Sequence, residues 1–256
     1  MKKFMQDLID KENKIVNDQY YLLIVRANDP LPAMFPGQFV EVRVDDSPTT
    51  FLRRPISINF VDYAHNELWL LVQIVGDGTR KLSTLKSGTK LNLIFPLGNT
   101  FSIPENKDAR ILMIGGGVGI APMLFLGAYL NDLGYTCNFL LGGRSESNLL
   151  QLDDFVRYGN IHTTTEDGSH GEKGFVTQHS ILNNQKFDAI YTCGPTPMMK
   201  AVGAYAAKTD TFCEVSLENT MACGFGACLC CVTDTTDGHV CVCTEGPVFN
   251  ITKLKW

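Results

Sequence analysis

No run of roughly 18 or more apolar residues occurs in this chain, so the sequence contains nothing that reads as a transmembrane helix. The basic excess of a nucleic-acid-binding surface is missing too. Lys and Arg number 22 against 27 Asp and Glu, a formal net charge of −5, where a nucleic-acid binder normally shows a basic face. The opening segment, MKKFMQDLIDKENKIV, has two lysines but no apolar stretch behind them. A secretory signal needs that stretch, so a cytoplasmic chain is expected. Internal repeats and low-complexity segments are absent as well. Hydrophobic residues make up 45% and charged residues 19%, an ordinary globular balance.

Cysteine, by contrast, is abundant. There are nine, six of them between Cys223 and Cys243, with Cys137, Cys193 and Cys213 scattered. In a reducing compartment, and in a chain long enough to build real cores, clustered thiols point to metal before disulfides.

The 256 residues exceed one typical domain and suggest two domains with a small appendage. Tyr20–Arg26, Gln38–Val44 and Leu68–Val75 read as short strands, punctuated by Pro36–Gly37 and Gly76–Gly78. That series predicts an antiparallel β-barrel over residues 1–105. From Arg110 the pattern changes. Apolar strands at Arg110–Ile114, Cys137–Leu141 and Ala189–Cys193 alternate with helical segments such as Met123–Leu133. Alternation of this kind predicts a doubly wound parallel α/β sheet over 106–213. A small cysteine-rich unit is expected over 214–256, giving an α+β multidomain protein.

Cys223, Cys228 and Cys231 are spaced C-x4-C-x2-C, the plant-type [2Fe–2S] spacing, and further cysteines follow within a dozen residues. Gly224 and Gly226 supply unusual torsions and leave room for the backbone to wrap a cluster. The fourth ligand stays open between Cys241 and Cys243. An Asp237–Gly238 turn would fold Cys231–Thr235 against His239–Cys243 and bring either one near. A structural zinc site is the alternative for this cluster. Cys230 sits between two proposed ligands and is expected to point away as a packed side chain.

Two further segments point to nucleotides. In Arg53-Arg54-Pro55-Ile56-Ser57 a guanidinium can hold a pyrophosphate bidentately, and the serine hydroxyl can meet the N5 region of a flavin. Gly78 and Thr79 offer phosphate donors. Ile111–Pro122 runs from an apolar strand through Gly115, Gly116, Gly117 and Gly119 into a helix, the arrangement that brings helix amides to a pyrophosphate. Cys193-Gly194-Pro195 is a second strand-to-helix loop, and both loops are expected beyond the carboxyl ends of strands. Arg144 and Ser145 can hold a 2′-phosphate, so NAD and NADP both remain open.

These residues resemble the ferredoxin–NADP reductase superfamily: Arg54-Pro-Ile-Ser57, Gly78-Thr79, the Gly115–Pro122 loop, Cys193-Gly-Pro195 and Thr165–Gly174. Met221–Cys228 with Cys243-Thr-Glu-Gly-Pro-Val-Phe249 is similar, more narrowly, to the electron-transfer subunits of the class 1B, NAD-dependent dihydroorotate dehydrogenases. The resemblance implies FAD contacts at Arg54, Pro55, Ile56, Ser57, Leu71, Val72, Gln73, Gly78 and Thr79. It implies NAD contacts in the two strand-end loops, and Cys243 as the fourth cluster ligand. It further implies a separate FMN-containing catalytic subunit, in a heterotetramer of two copies of each. Electrons from dihydroorotate would reach NAD through the cluster and FAD, in de novo pyrimidine (UMP) biosynthesis. The small subunit of a ferredoxin-dependent NAD(P)H or sulfide-linked oxidoreductase shares these modules. A zinc-stabilised interaction module without redox role is the alternative of another class. Cys230 and Thr220 depart from the family pattern.

Overall fold

The computed structural model describes residues 2–256, and their backbones form two compact units. The first comprises the chain up to Thr100 with Asn219–Thr233 and His239–Pro247. The second comprises Phe101–Glu218, Asp234–Gly238 and Val248–Trp256. The cysteine-rich segment expected as a third unit over 214–256 is therefore divided between the other two. Its cluster loop packs in the first unit, where Gly224 meets the Glu41 and Leu97 side chains. Its last strand joins the second unit by pairing with Glu214–Ser216.

In the first unit seven strands form one antiparallel half-barrel sheet. They are β1 (Phe4–Ile15), β2 (Tyr20–Arg26), β3 (Phe39–Val42), β4 (Arg54–Ser57), β5 (Phe60–Asp62), β6 (Glu67–Gln73) and β7 (Lys90–Leu97), in the order β4-β3-β7-β1-β2-β6-β5. Aromatic and β-branched residues suit a pleated, buried surface, and β2 is buried along Tyr20–Val25. A single short helix, α1 (Asp77–Ser83), interrupts the strands after β6. β1 was not apparent from its residues, because Gln6, Asp7, Lys11, Glu12 and Lys14 mask it. It forms because β2 and β7 pair with it from both sides, around a bulge between Asp10 and Glu12.

The second unit carries β8 (Ile111–Gly116), β9 (Cys137–Gly143), β10 (Gly159–Thr165), β11 (Glu172–Lys173), β12 (Ala189–Cys193) and β13 (Phe212–Ser216). Its helices are α2 (Ala121–Asp132), α3 (Leu152–Phe155), α4 (Ile181–Asn184) and α5 (Thr196–Lys208). The strand order is β11-β10-β9-β8-β12-β13, all parallel, with β16 (Val248–Asn250) added antiparallel at the edge. The chain winds one way from β8 to β9 and β10 and the other way to β12 and β13. The topological switch point thus lies between β8 and β12. α2 starts two residues before the expected Met123, since Pro122 suits a first helical turn. It lies close on the sheet: a Cβ at Gly127 would stand 2.3 Å from the Phe139 ring.

β14 (Val232–Thr235) and β15 (Gly238–Cys241) make the hairpin expected around Asp237, but the second strand is shorter than His239–Cys243. The chain turns at Cys241 into the helical turn α6 (Val242–Glu245), which carries Cys243. Among the described residues no helix is long and apolar enough to cross a membrane.

Candidate functional site

Four cysteine sulfurs in the first unit share one property: each accepts a backbone N–H. Burial pushes the Cys223 thiol up, but the amides of Phe225, Cys228 and Ala227 and the Cys228 side chain hydrogen-bond to it and bring it down to about 6. The Cys230 amide donates to Cys228 Sγ at 3.5 Å, and the Cys243 amide donates to Cys231 Sγ at 3.4 Å. The Gly226 amide donates to the Cys243 sulfur, whose thiol is pushed up to about 12 by burial and by the neighbouring Cys231 side chain. Amides aimed at sulfur stabilise thiolate and the negative charge of a bound cluster. The torsions that aim them are left-handed at Gly224 (φ +75°), Gly226 (φ +89°) and Leu229 (φ +58°).

Cys241 also stands in this group, beside the Cys231, Cys228 and Cys223 thiols. Proximity therefore does not separate it from Cys243; the amide at sulfur and the burial of Cys243 do. Cys230 is exposed, not packed as the sequence suggested, because the left-handed Leu229 turns it outward. Among the described residues no three His, Cys, Asp or Glu side chains are gathered tightly enough for a single ion.

The pieces assigned to flavin come together in the same unit. A Cβ at Gly78 would lie 2.7 Å from Arg54 Nε, so the guanidinium rests against the glycine turn. Arg54 Nη1 donates to the carbonyls of Leu52 (2.8 Å) and Arg53 (3.2 Å), which fixes the arm. Arg53 is used differently. Its Nη1 ties the Asn92 carbonyl (2.9 Å) to the Glu41 carbonyl (3.2 Å), bracing β7 against β3. The Thr79 hydroxyl is engaged in its own turn, accepting from the Val75 and Gly76 amides and donating to the Gly76 carbonyl at 3.1 Å. The hydroxyl expected from sequence as a phosphate donor thus also closes the turn. Pro55 and Ser57 are half-buried on β4, and Ile56 is buried. Leu71 and Val72 are buried, yet β5 pairs with β6 only as far as Trp69. The Leu71–Gln73 edge opposite β2 has no strand partner among the described residues, leaving backbone groups open to a ligand.

In the second unit, Gly115 on β8 lies in register with Cys193 on β12 at the switch point. A Cβ at Gly119 would stand 2.4 Å from the Cys193 carbonyl oxygen, and one at Gly116 would stand 2.5 Å from Met198 Sδ. The loops Gly115–Gly119 and Cys193–Pro195 therefore touch, and only glycine permits it. Gly117 (φ +56°) and Gly194 (φ +151°) add torsions other residues rarely adopt. Cys193 is fully buried, which pushes its thiol well above the ordinary range; the carboxylate of Glu218 adds to this and accepts from Sγ at 3.9 Å. Glu218 was not singled out from sequence, since no motif spacing links it to Cys193. Arg144 is exposed just after β9.

Glu41 was missed as well. It is fully buried on β3, facing the cluster loop, and neither carboxylate oxygen has a hydrogen-bond partner.

Residues 218–255 match the family model of the iron-sulfur cluster binding domain of dihydroorotate dehydrogenase B, and residues 113–204 match the oxidoreductase NAD-binding domain. The chain is 37% identical over 252 residues to the dihydroorotate dehydrogenase B (NAD(+)) electron transfer subunit of Shouchella clausii, covering 96% of each. It is 38% identical over 259 residues to the same subunit of Listeria monocytogenes, covering 97% of this chain and all of that one. Among solved structures, a chain of an NADH-dependent reduced ferredoxin-NADP oxidoreductase superposes with a TM-score of 0.88 at 27% identity, covering 97% of this chain and 90% of that one. The cytochrome b5 reductase domain of Ulva prolifera nitrate reductase gives a TM-score of 0.68 at 17% identity, covering 81% and 93%, and shares the fold.

Proposed function

The chain belongs to the family of dihydroorotate dehydrogenase B (NAD(+)) electron transfer subunits, and from that premise we propose that it links dihydroorotate oxidation in a separate FMN-containing subunit to reduction of NAD. Its resident groups are a [2Fe–2S] cluster and FAD, its place is the cytoplasmic route to UMP, and its assembly is a heterotetramer of two copies of each subunit. When bound, FAD exchanges hydride with nicotinamide and single electrons with the cluster, so that a two-electron and a one-electron partner can be joined. The protein supplies placement and electrostatics.

Cys223, Cys228, Cys231 and Cys243 would hold the cluster. The observation that carries this reading is the backbone amide on each of these four sulfurs. Such amides place fixed dipoles on the sulfurs, where they would stabilise the negative charge of a bound cluster. Arg54, fixed by two carbonyls against Gly78, would hold the flavin pyrophosphate. Ser57 and the free edge of Leu71–Gln73 would orient the ring system, with Pro55, Ile56 and Thr79 shaping the walls. Gly115, Gly116, Gly117 and Gly119 would let the nicotinamide nucleotide approach the switch point, beside Cys193, Gly194 and Pro195. The buried Cys193 thiol, held by Glu218, would set the floor of that crevice and exclude water from it.

Iron and acid-labile sulfide analysis tests the ligand set. Cys223→Ser, Cys228→Ser, Cys231→Ser and Cys243→Ser should each lose both, while Cys230→Ser and Cys241→Ser should keep both. A wild-type chain holding zinc and no labile sulfide would overturn the reading. Full iron in Cys243→Ser beside loss in Cys241→Ser would move the fourth ligand to Cys241. A second reading, the small subunit of a ferredoxin-dependent oxidoreductase, is favoured by the superposition over 97% of the chain; only the partner separates the two.

A further inference from the structure

Several buried polar side chains of the first sheet lack a hydrogen-bond partner, Asp10, Asn13, Glu41 and Trp69 among them, and Glu41 is the one set against the cluster loop. It lies on β3 opposite Pro55 and is fully buried. Neither carboxylate oxygen has a hydrogen-bond partner. An isolated buried carboxylate is expensive, and such groups are normally paired or replaced by apolar residues. Two cations face it, yet both have other work. Arg53 donates to the Glu41 and Asn92 main-chain carbonyls, and Arg54 donates to those of Leu52 and Arg53. What the side chain does touch is the cluster loop. A Cβ at Gly224 would lie 2.6 Å from Glu41 Cγ and 3.0 Å from Oε1, so the carboxylate presses on the residue next to Cys223. Glu41 and Cys223 are close enough for their charges to act on each other.

A fixed negative charge beside a cluster opposes arrival of an electron. Net charge and the groups around the sulfurs are among the levers that set iron–sulfur potentials, and a water-free setting strengthens the effect. We propose that the Glu41 carboxylate is a tuning residue that lowers the reduction potential of the cluster held by Cys223, Cys228, Cys231 and Cys243. The inference rests on the iron–sulfur reading of the loop. Glu41 donates no electron and binds no iron; it acts through its charge on the loop that does.

Redox titration of the purified holoprotein, followed by the visible and EPR signals of the cluster, tests it. The wild type and its Glu41 variants are compared at one alkaline pH, because burial raises the Glu41 carboxyl above the ordinary carboxylate range. Glu41→Gln and Glu41→Leu, which remove the charge in different shapes, should both raise the midpoint. The expected change is a threefold to tenfold shift of the reduced-to-oxidised ratio at fixed ambient potential, about 30 to 59 mV for one electron. Glu41→Asp, which keeps a charge, should stay near the wild-type value. Equal midpoints in all four proteins would overturn the proposal. So would a shift in Asp as large as in Leu, which reports shape rather than charge. Loss of iron from all three variants would overturn it too, by making Glu41 a support of the loop. A wild-type chain without iron and sulfide would instead refute the cluster itself.

Discussion

Arg53 and Arg54 are neighbours in sequence and identical in chemistry, and the structure gives them unrelated work. Arg53 braces β7 against β3, while Arg54 lies against Gly78 with only carbonyls of its own loop as partners. Only the second is free to offer a fork to a phosphate. Arg54→Ala should therefore weaken FAD binding roughly tenfold to hundredfold, since a charge-assisted contact is worth about 1.5–3 kcal/mol. Titration of the apoprotein by flavin fluorescence measures this, and unchanged affinity would remove Arg54 from the site. The sequence singled out Arg54 and assigned no role to Arg53, whose bracing depends on Asn92 and Glu41, which adjoin only once the sheet forms. The cysteines were easier to read, because three proposed ligands crowd one loop. Their amide donors, and the difference between Cys241 and Cys243, emerge only with the torsions of Gly224, Gly226 and Leu229. Glu41 and Glu218 left no trace in any motif, being set against Gly224 and Cys193 by folding alone.

Whole elements were legible where apolarity and period agreed. Tyr20–Arg26 and Ala189–Cys193 form strands over the expected residues, and the glycine run after β8 ends a strand and opens a helix. β1 was not legible, since pairing on both sides rather than burial of a face specifies it. Another feature hidden at this scale is the corner where β10, β11 and α4 meet. His162 on β10 and His179 stand edge to face with centroids 5.7 Å apart. His179 Nδ1 accepts the Ile181 amide at 3.1 Å, which fixes the neutral tautomer with its proton on Nε2, facing the Glu172 carboxylate at 3.5 Å. Burial lowers both imidazoles below their ordinary range; the nearby His179 lowers His162 further, and Glu172 only partly offsets this. With folded values below the unfolded value of about 6.5, the unfolded chain takes up protons first as the pH falls. Stability should thus be fully present at pH 7.5 and decline as the pH falls from about 6.5 towards the lowered folded values. Urea unfolding midpoints across that range should show the decline. His179→Gln, which keeps a polar side chain but cannot be charged, should flatten it. An equal slope in both proteins would exclude this corner as the source.

At the scale of the whole molecule, the division of labour follows from what the two units contain. One holds the half-barrel sheet with the flavin-type arginine and the cluster loop; the other holds the parallel sheet with its switch point. Together they take up the described chain. Relatives covering 96% of this chain are themselves named as electron transfer subunits, which implies a catalytic partner. The cluster loop presents two large apolar side chains to solvent. Phe225 is 46% exposed and Leu229 is 64% exposed, the latter held outward by a left-handed torsion. Phe249 is buried on β16 opposite Val215. The isolated subunit should accordingly oxidise NADH with artificial acceptors and show no dihydroorotate-dependent reduction of NAD. Adding the FMN-containing dihydroorotate-oxidising subunit should create that activity, which neither part has alone, and Phe225→Ser with Leu229→Ser should weaken the coupling while leaving NADH oxidation by artificial acceptors intact. Dihydroorotate-dependent NAD reduction by the isolated chain would sink this assignment. Failure to couple with any such subunit, while passing electrons to ferredoxin, would instead favour the ferredoxin-linked reading, because the same cofactors serve both and the partner separates them.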